Sequence, residues 1–121
     1  NNMLAYCWSE IAGFSKFGSY DGNGSADGPF IFTGFRPKFI LTKKTNGVGD
    51  DWTLFDTARN TYNLATLLLR PNSSVAEQSS SIDILSNGFK WRQGGGNGNE
   101  TSGTYIYMAF AENPFKVSNA R

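Results

Sequence analysis

Turn-forming residues cut this chain of 121 residues into short pieces, and that punctuation limits its fold more than any other feature. Strand-like stretches recur at Met3–Glu10, Phe14–Tyr20, Pro29–Thr33, Lys38–Thr45, Trp52–Asp56, Thr66–Arg70, Ile82–Ser86, Phe89–Arg92 and Thr104–Ala111. Between them lie Asp21-Gly-Asn-Gly-Ser-Ala-Asp-Gly28, Gly34-Phe-Arg-Pro37, Asn46-Gly-Val-Gly-Asp-Asp51 and Gly94-Gly-Gly-Asn-Gly-Asn-Glu-Thr-Ser-Gly103. Helical periodicity is hard to find. Strands at this spacing with no helices between them predict one all-β domain over residues 1–121, an antiparallel β-sandwich of jelly-roll or concanavalin-like kind.

One hairpin is predictable in detail. Asn87-Gly88 suits a two-residue turn in which both central residues take positive φ. That register sets Ser86 opposite Phe89, Leu85 opposite Lys90, Ile84 opposite Trp91 and Asp83 opposite Arg92. Ile82, Ile84, Phe89 and Trp91 then share a core face, and Asp83, Lys90 and Arg92 share a wet one. Asp83 against Arg92 is an exposed cross-strand pair worth roughly 0.2–1 kcal/mol. A slip of one residue would put Trp91 in water.

The last strand is apolar on both faces, with Ile106, Met108 and Phe110 on one and Tyr105, Tyr107 and Ala109 on the other. It is expected at the centre of a sheet covered on both sides, or with one face against another subunit. Met3–Trp8 alternates in the same way, so both ends of the chain are expected to supply central strands that pair as neighbours. Cys7 falls in that stretch and is expected to be an inert core thiol.

Composition removes whole classes of chemistry. The chain has no histidine and one cysteine, which excludes His-ligated zinc, a Ser-His-Asp triad, a Cys-His dyad and an internal disulfide within it. A net charge of +1 leaves no electrostatic footprint for nucleic acid or an anionic membrane. Ten Phe, five Tyr and three Trp separate it from disordered chains. The sequence opens at Asn1 with no initiator Met, so the expectation is a piece of a longer protein.

Catalysis finds little support. Sandwich glycosidases set two carboxylates on one face of a strand, about 5–9 Å apart. No strand here has that spacing: Asp83 is followed by Leu85 at i+2 and Asn87 at i+4. The expectation is that the chain is not an enzyme, a site shared between subunits being the one arrangement that spacing leaves open. Asp21, Asn23, Ser25 and Asp27 alternate as oxygen ligands of a calcium loop would. Phe32 stands where an EF-hand needs its bidentate Glu, and the same residues are turn formers. They are a candidate calcium site.

The Gly94–Gly103 run lacks the Gly-Lys-Ser/Thr ending of a phosphate loop and leads into a strand, so it reads as a mobile tip. Binding modules place contacts on such tips, and Asn97, Asn99 and Glu100 are the candidate ligand-binding residues there. Tyr20, Trp52, Tyr62 and Trp91 are the aromatics that can stack on a sugar; Trp91 and Trp52 are assigned to the core, and Tyr62, in Arg59-Asn-Thr-Tyr-Asn63, is the best candidate for an exposed platform. Arg36, Lys38, Lys43 and Lys44 read as a solvated face. Asn23, Asn72 and Asn99 match the glycosylation triplet.

Seven segments taken together carry a family likeness: Tyr6-Cys-Trp8, Gly13–Tyr20, Gly22–Phe30, Thr33-Gly-Phe-Arg-Pro37, Phe55-Asp-Thr-Ala-Arg59, Ile82–Lys90 and Gly103–Glu112. In this order they resemble a domain of unknown function found at the C-terminal end of tail-fibre and other virion proteins of tailed bacteriophages and prophages. The resemblance implies a sandwich displayed at the tip of a homotrimeric fibre, on the virion and outside the cell. It also implies that Ser118-Asn-Ala-Arg121 is a native C-terminus. It supplies no catalytic residues. The expected role is attachment to a host-surface glycan or protein, with other virion subunits as partners. The alternative is a structural module that caps or trimerises a fibre, or decorates a capsid, without its own ligand.

Overall fold

The structure, a computed structural model, describes residues 1–115, so the closing Ser118–Arg121 lies outside the described residues. Eight strands follow the punctuation: β1 (Ser15–Asp21), β2 (Phe30–Phe32), β3 (Pro37–Lys44), β4 (Thr53–Asp56), β5 (Ala65–Leu68), β6 (Gln78–Leu85), β7 (Gly88–Trp91) and β8 (Thr104–Ala111). They form two four-stranded antiparallel sheets, β1-β8-β3-β4 and β2-β7-β6-β5. The chain is an all-β sandwich. Pairing of β1 with β8 and of β2 with β7 is nested, as in a jelly roll. In a jelly roll that nesting continues inward through every strand pair. Here it stops, because β3 turns back on β4 and β5 on β6.

Period-two alternation explains the core. Ile40 and Thr42 of β3, Phe55 of β4 and Tyr105, Tyr107 and Ala109 of β8 face Ile82, Ile84, Phe89 and Trp91 of the other sheet, all of them buried. Each large apolar side chain so buried stabilises the fold by roughly 1.5–3 kcal/mol. The Thr42 and Thr53 hydroxyls meet across β3 and β4 at 2.5 Å, which satisfies two polar groups that burial would otherwise penalise.

Expectations about the N-terminal segment need correction. Met3–Glu10 is not a strand. β8 already has β1 and β3 on its two edges, so no ladder position beside it is free, and the segment lies outside the sheets. Its Cys7 is therefore exposed, not a core thiol. The strand that pairs with β8 from the N-terminal side is β1, in register from Ser15 opposite Phe110 to Asp21 opposite Thr104.

The hairpin keeps its predicted faces but shifts by two residues. Ile82 faces Trp91, Asp83 faces Lys90, Ile84 faces Phe89 and Leu85 faces Gly88, leaving Ser86-Asn87 as the turn. Gly88 does not take a positive φ. It is a glycine because β2 crosses there, and a Cβ would collide with the Ile31 carbonyl oxygen. Asp83 still pairs with Arg92, diagonally, at 3.2 Å. Trp91 is in the core as expected, whereas Trp52 is only half-buried.

Candidate functional site

Three loops meet at the end of the sandwich where β1 and β3 finish and β8 begins. They are residues 22–29 between β1 and β2, 45–52 between β3 and β4, and 92–103 between β7 and β8. Under them lies an aromatic stack. The Trp91 Nε1–H donates to Tyr20 Oη at 2.8 Å, and the Tyr20 hydroxyl donates to the Gly98 carbonyl at 2.9 Å. Tyr20 and Tyr105 stack with ring centroids 5.0 Å apart, and Tyr105 Oη accepts the Glu100 N–H at 2.9 Å. Burial pushes both phenols up from their ordinary pKa, so each stays a protonated donor.

The 92–103 loop is tied down and not the free tip that its glycines suggest. Residues Gly96–Gly98 form a turn of 3-10 helix, and Asn99 is fully buried. The Asn99 Oδ1 accepts the Asn23 N–H at 2.8 Å. Its Nδ2 donates to Asn23 Oδ1 at 3.1 Å, the Ser25 carbonyl at 2.8 Å and the Gln93 carbonyl at 2.9 Å. Glycines here serve close approach. A Cβ on Gly94 would strike the Gly24 carbonyl, and one on Gly98 would enter the Trp91 ring.

The 45–52 loop, which sequence reasoning did not put in the site, joins from the other side. Lys44, expected as part of a solvated basic face, bridges Glu100 and Asp50, the latter at 3.3 Å. These two acids hold its ammonium above the ordinary lysine range. Asn46 Nδ2 donates to the Ser102 carbonyl at 2.8 Å, and Asn46 Oδ1 accepts the Thr104 N–H at 2.6 Å. With its amide turned toward Asp50, Asn97 spans to the Asp50 carboxylate and the Asp51 N–H at 3.3 Å each. The one available signal was the shared Gly/Asn/Asp composition of the three loops.

The candidate residues divide. Asn97 and Glu100 sit half-exposed on the joined surface. Asn99 lies beneath it and is out of reach of a ligand or a glycan-transferring enzyme, because its amide bonds tie the loops. Tyr62 is exposed, but β4 carries the chain to the opposite end of the sandwich, so it does not share a surface with Asn97 and Glu100. A cavity of about 620 Å³ beside Ala12, Gly34, Phe35, Arg36 and Asn113 is also away from the loops.

The calcium candidates each have a partner within the protein. Asp21 accepts from the Thr104 hydroxyl at 3.0 Å, Asn23 Oδ1 caps the Ser25 N–H at 3.0 Å, and Ser25 Oγ caps the Asp27 N–H at 3.1 Å. Asp27 pairs with Lys90 at 2.6 Å, and this partner holds its carboxyl below the usual range. The same alternation lets Asn23 and Ser25 cap the backbone of their own loop. Among the described residues no three His, Cys, Asp or Glu groups gather as metal ligands would.

Ser102 has φ 62, in the left-handed region, within a turn closed by the Gly103 N–H on the Glu100 carbonyl at 3.0 Å. Replacing Ser102 by Val, β-branched and ill-suited to that region, is expected to cost about 1–2 kcal/mol. Ser102→Gly should be neutral or slightly stabilising. Urea denaturation of both variants measures the difference.

A family model described as a domain of unknown function (DUF7483) matches residues 1–114. No curated protein and no solved structure matches the chain.

Proposed function

The chain belongs to the DUF7483 family, and from that premise we propose that it is a non-catalytic adhesion module that binds a host-surface glycan through its three-loop end. The observation that carries this reading is the cross-bonding of three polar loops into one surface on a rigid sandwich. Asn23, Ser25, Asp27, Asn46, Thr101 and Ser102 are exposed there, and Asn97 and Glu100 are partly so. Hydroxyl-rich ligands are recognised by such preset donors and acceptors, and preorganisation spares the ordering entropy of binding. The sequence resemblance supplies the context, a virion of a tailed bacteriophage. Several copies on one particle would raise sites of about millimolar affinity to firm attachment. Calcium is not required in this reading, because the loop oxygens already hold backbone donors and Lys90.

A glycan array probed with multimerised protein tests it. Asn97→Ala is expected to lower retention at least tenfold with only a small drop in the thermal midpoint, and Tyr62→Ala to leave retention intact. Equal effects from the two variants, or no glycan held by the native chain, would overturn the reading. A second reading, an architectural module without a ligand, has one observation in its favour: the apolar outer face of the β1-β8-β3-β4 sheet.

A further inference from the structure

That face is apolar across all four strands. Phe17 of β1, Leu41 of β3, Leu54 of β4 and Ile106, Met108 and Phe110 of β8 point away from the core, in the registers that send their neighbours inward. The N-terminal arm, residues 1–10, lies against it. Tyr6 and Trp8 stack with ring centroids 5.8 Å apart and line a groove of about 430 Å³ with Leu41, Trp52 and Met108. The arm is held by few polar contacts. Lys16 donates to Glu10 at 2.7 Å, and the Ser15 hydroxyl donates to the Ser9 carbonyl at 3.3 Å. Among the described residues no backbone–backbone hydrogen bond attaches residues 1–8 to a strand.

Covering the face with the arm leaves both incompletely buried. Met3 is 95 % exposed, Leu4 78 %, Tyr6 70 %, Trp8 54 % and Ile106 43 %. With large aromatic side chains presenting roughly 150–250 Å² each, these five residues leave on the order of 500–600 Å² of apolar surface uncovered. That reaches the upper end for the largest patch on a monomer, about 300–600 Å². Adding the half-exposed Leu41, Trp52 and Met108 brings it toward the roughly 800 Å² that each partner buries in a stable complex.

We infer that the arm and the outer face of this sheet form a contact between copies of the chain, with Tyr6 and Trp8 of each arm covered by the face of a second copy. The chain carries both halves of the contact: on every copy the exposed aromatics of the arm and the apolar side chains of the face line one open groove. The arm has no charged side chain before Glu10, so it offers nothing to a charged partner. An arm attached by side chains alone exchanges at low cost, and reciprocal contact between identical surfaces closes an assembly. Buried aromatics at the centre of such contacts carry most of the binding energy.

Light scattering and sedimentation across about 1–200 µM protein test this, in the range where a contact of this size associates. The native chain is expected to reach at least twice the monomer mass. Ile106→Lys, and separately Tyr6→Ser with Trp8→Ser, should each raise the dissociation constant at least tenfold. Val75→Lys, an exposed apolar site elsewhere, should leave it unchanged. The arm variants lie outside both sheets and keep the fold, which far-UV circular dichroism checks. A monomer throughout the range, or an assembly that survives both changes, overturns the inference.

Discussion

Asn99→Ala is expected to lower stability by about 3 kcal/mol and the thermal midpoint by about 10 °C. The cost does not come from lost apolar contact. It comes from four backbone and side-chain groups that the Asn99 amide serves at once: the Asn23 N–H, Asn23 Oδ1 and the carbonyls of Ser25 and Gln93. Asn23 Oδ1 keeps the Ser25 N–H, but the other three lose the partner that the buried Asn99 supplies. Asn99→Asp sharpens the test. One carboxylate oxygen can still accept the Asn23 N–H, but the other faces three acceptors and has nothing to donate. At neutral pH this variant should be less stable than the alanine one. Its folded-state pKa is raised above the unfolded value of about 3.9, so the folded form binds the proton more tightly. The penalty is then smallest below about pH 4, where the protonated acid can donate one bond, and grows as pH rises toward the folded pKa. Thermal denaturation against the native chain at each pH separates this from the acid sensitivity of other carboxylates. An Asn99→Asp protein as stable as the native chain at pH 7 would show that the amide is not the latch.

Most of the strands were legible because alternation is a local property. Ile82, Ile84, Phe89 and Trp91 were assigned to the core from spacing alone and are buried there. The register between β6 and β7 was not legible to the same precision. A shift of two residues keeps every face, so the hydrophobic pattern cannot distinguish the two registers, and the deciding contact, Gly88 against the Ile31 carbonyl, is distant in sequence. Met3–Glu10 failed for a related reason. Its alternation is real, but strand formation needs a free edge, and β1 and β3 occupy both edges of β8. In the loops, Asx and Ser turns and calcium ligands draw on the same residues, so spacing favoured neither. That Asn99 is buried and Asn97 is not has no trace in a glycine-rich run. The partners that draw Asn99 inward, Asn23 and Ser25, lie more than seventy residues away in sequence.

Gly98→Ala should be the most costly single methyl group that can be added to this end of the molecule, at about 3 kcal/mol or more. Gly98 is buried, and its Cβ would fall inside the six-membered part of the Trp91 indole. The indole has nowhere to go. Its N–H is bonded to Tyr20, and its face meets Phe55 edge-on with centroids 5.8 Å apart. Either the 92–103 loop lifts, breaking the Asn99 bonds, or Trp91 leaves its position and opens the core. The backbone is not the cause, since Gly98 does not adopt a positive φ. Gly95 is the converse case, with φ 83 and no atom within 4 Å of an added Cβ. Gly95→Ala should therefore cost only a backbone penalty, about 1–3 kcal/mol at φ 83 and ψ −168. A double-mutant cycle isolates the clash. Trp91→Phe alone destabilises by removing packing and the bond to Tyr20, yet in the Gly98→Ala background it should restore stability, because the smaller ring makes room. Near-UV circular dichroism should report the displaced indole in Gly98→Ala and not in Gly95→Ala. If Gly98→Ala stays within about 1 kcal/mol of the native chain, the loop does not rest on Trp91, and the packing given for this end of the sandwich is wrong.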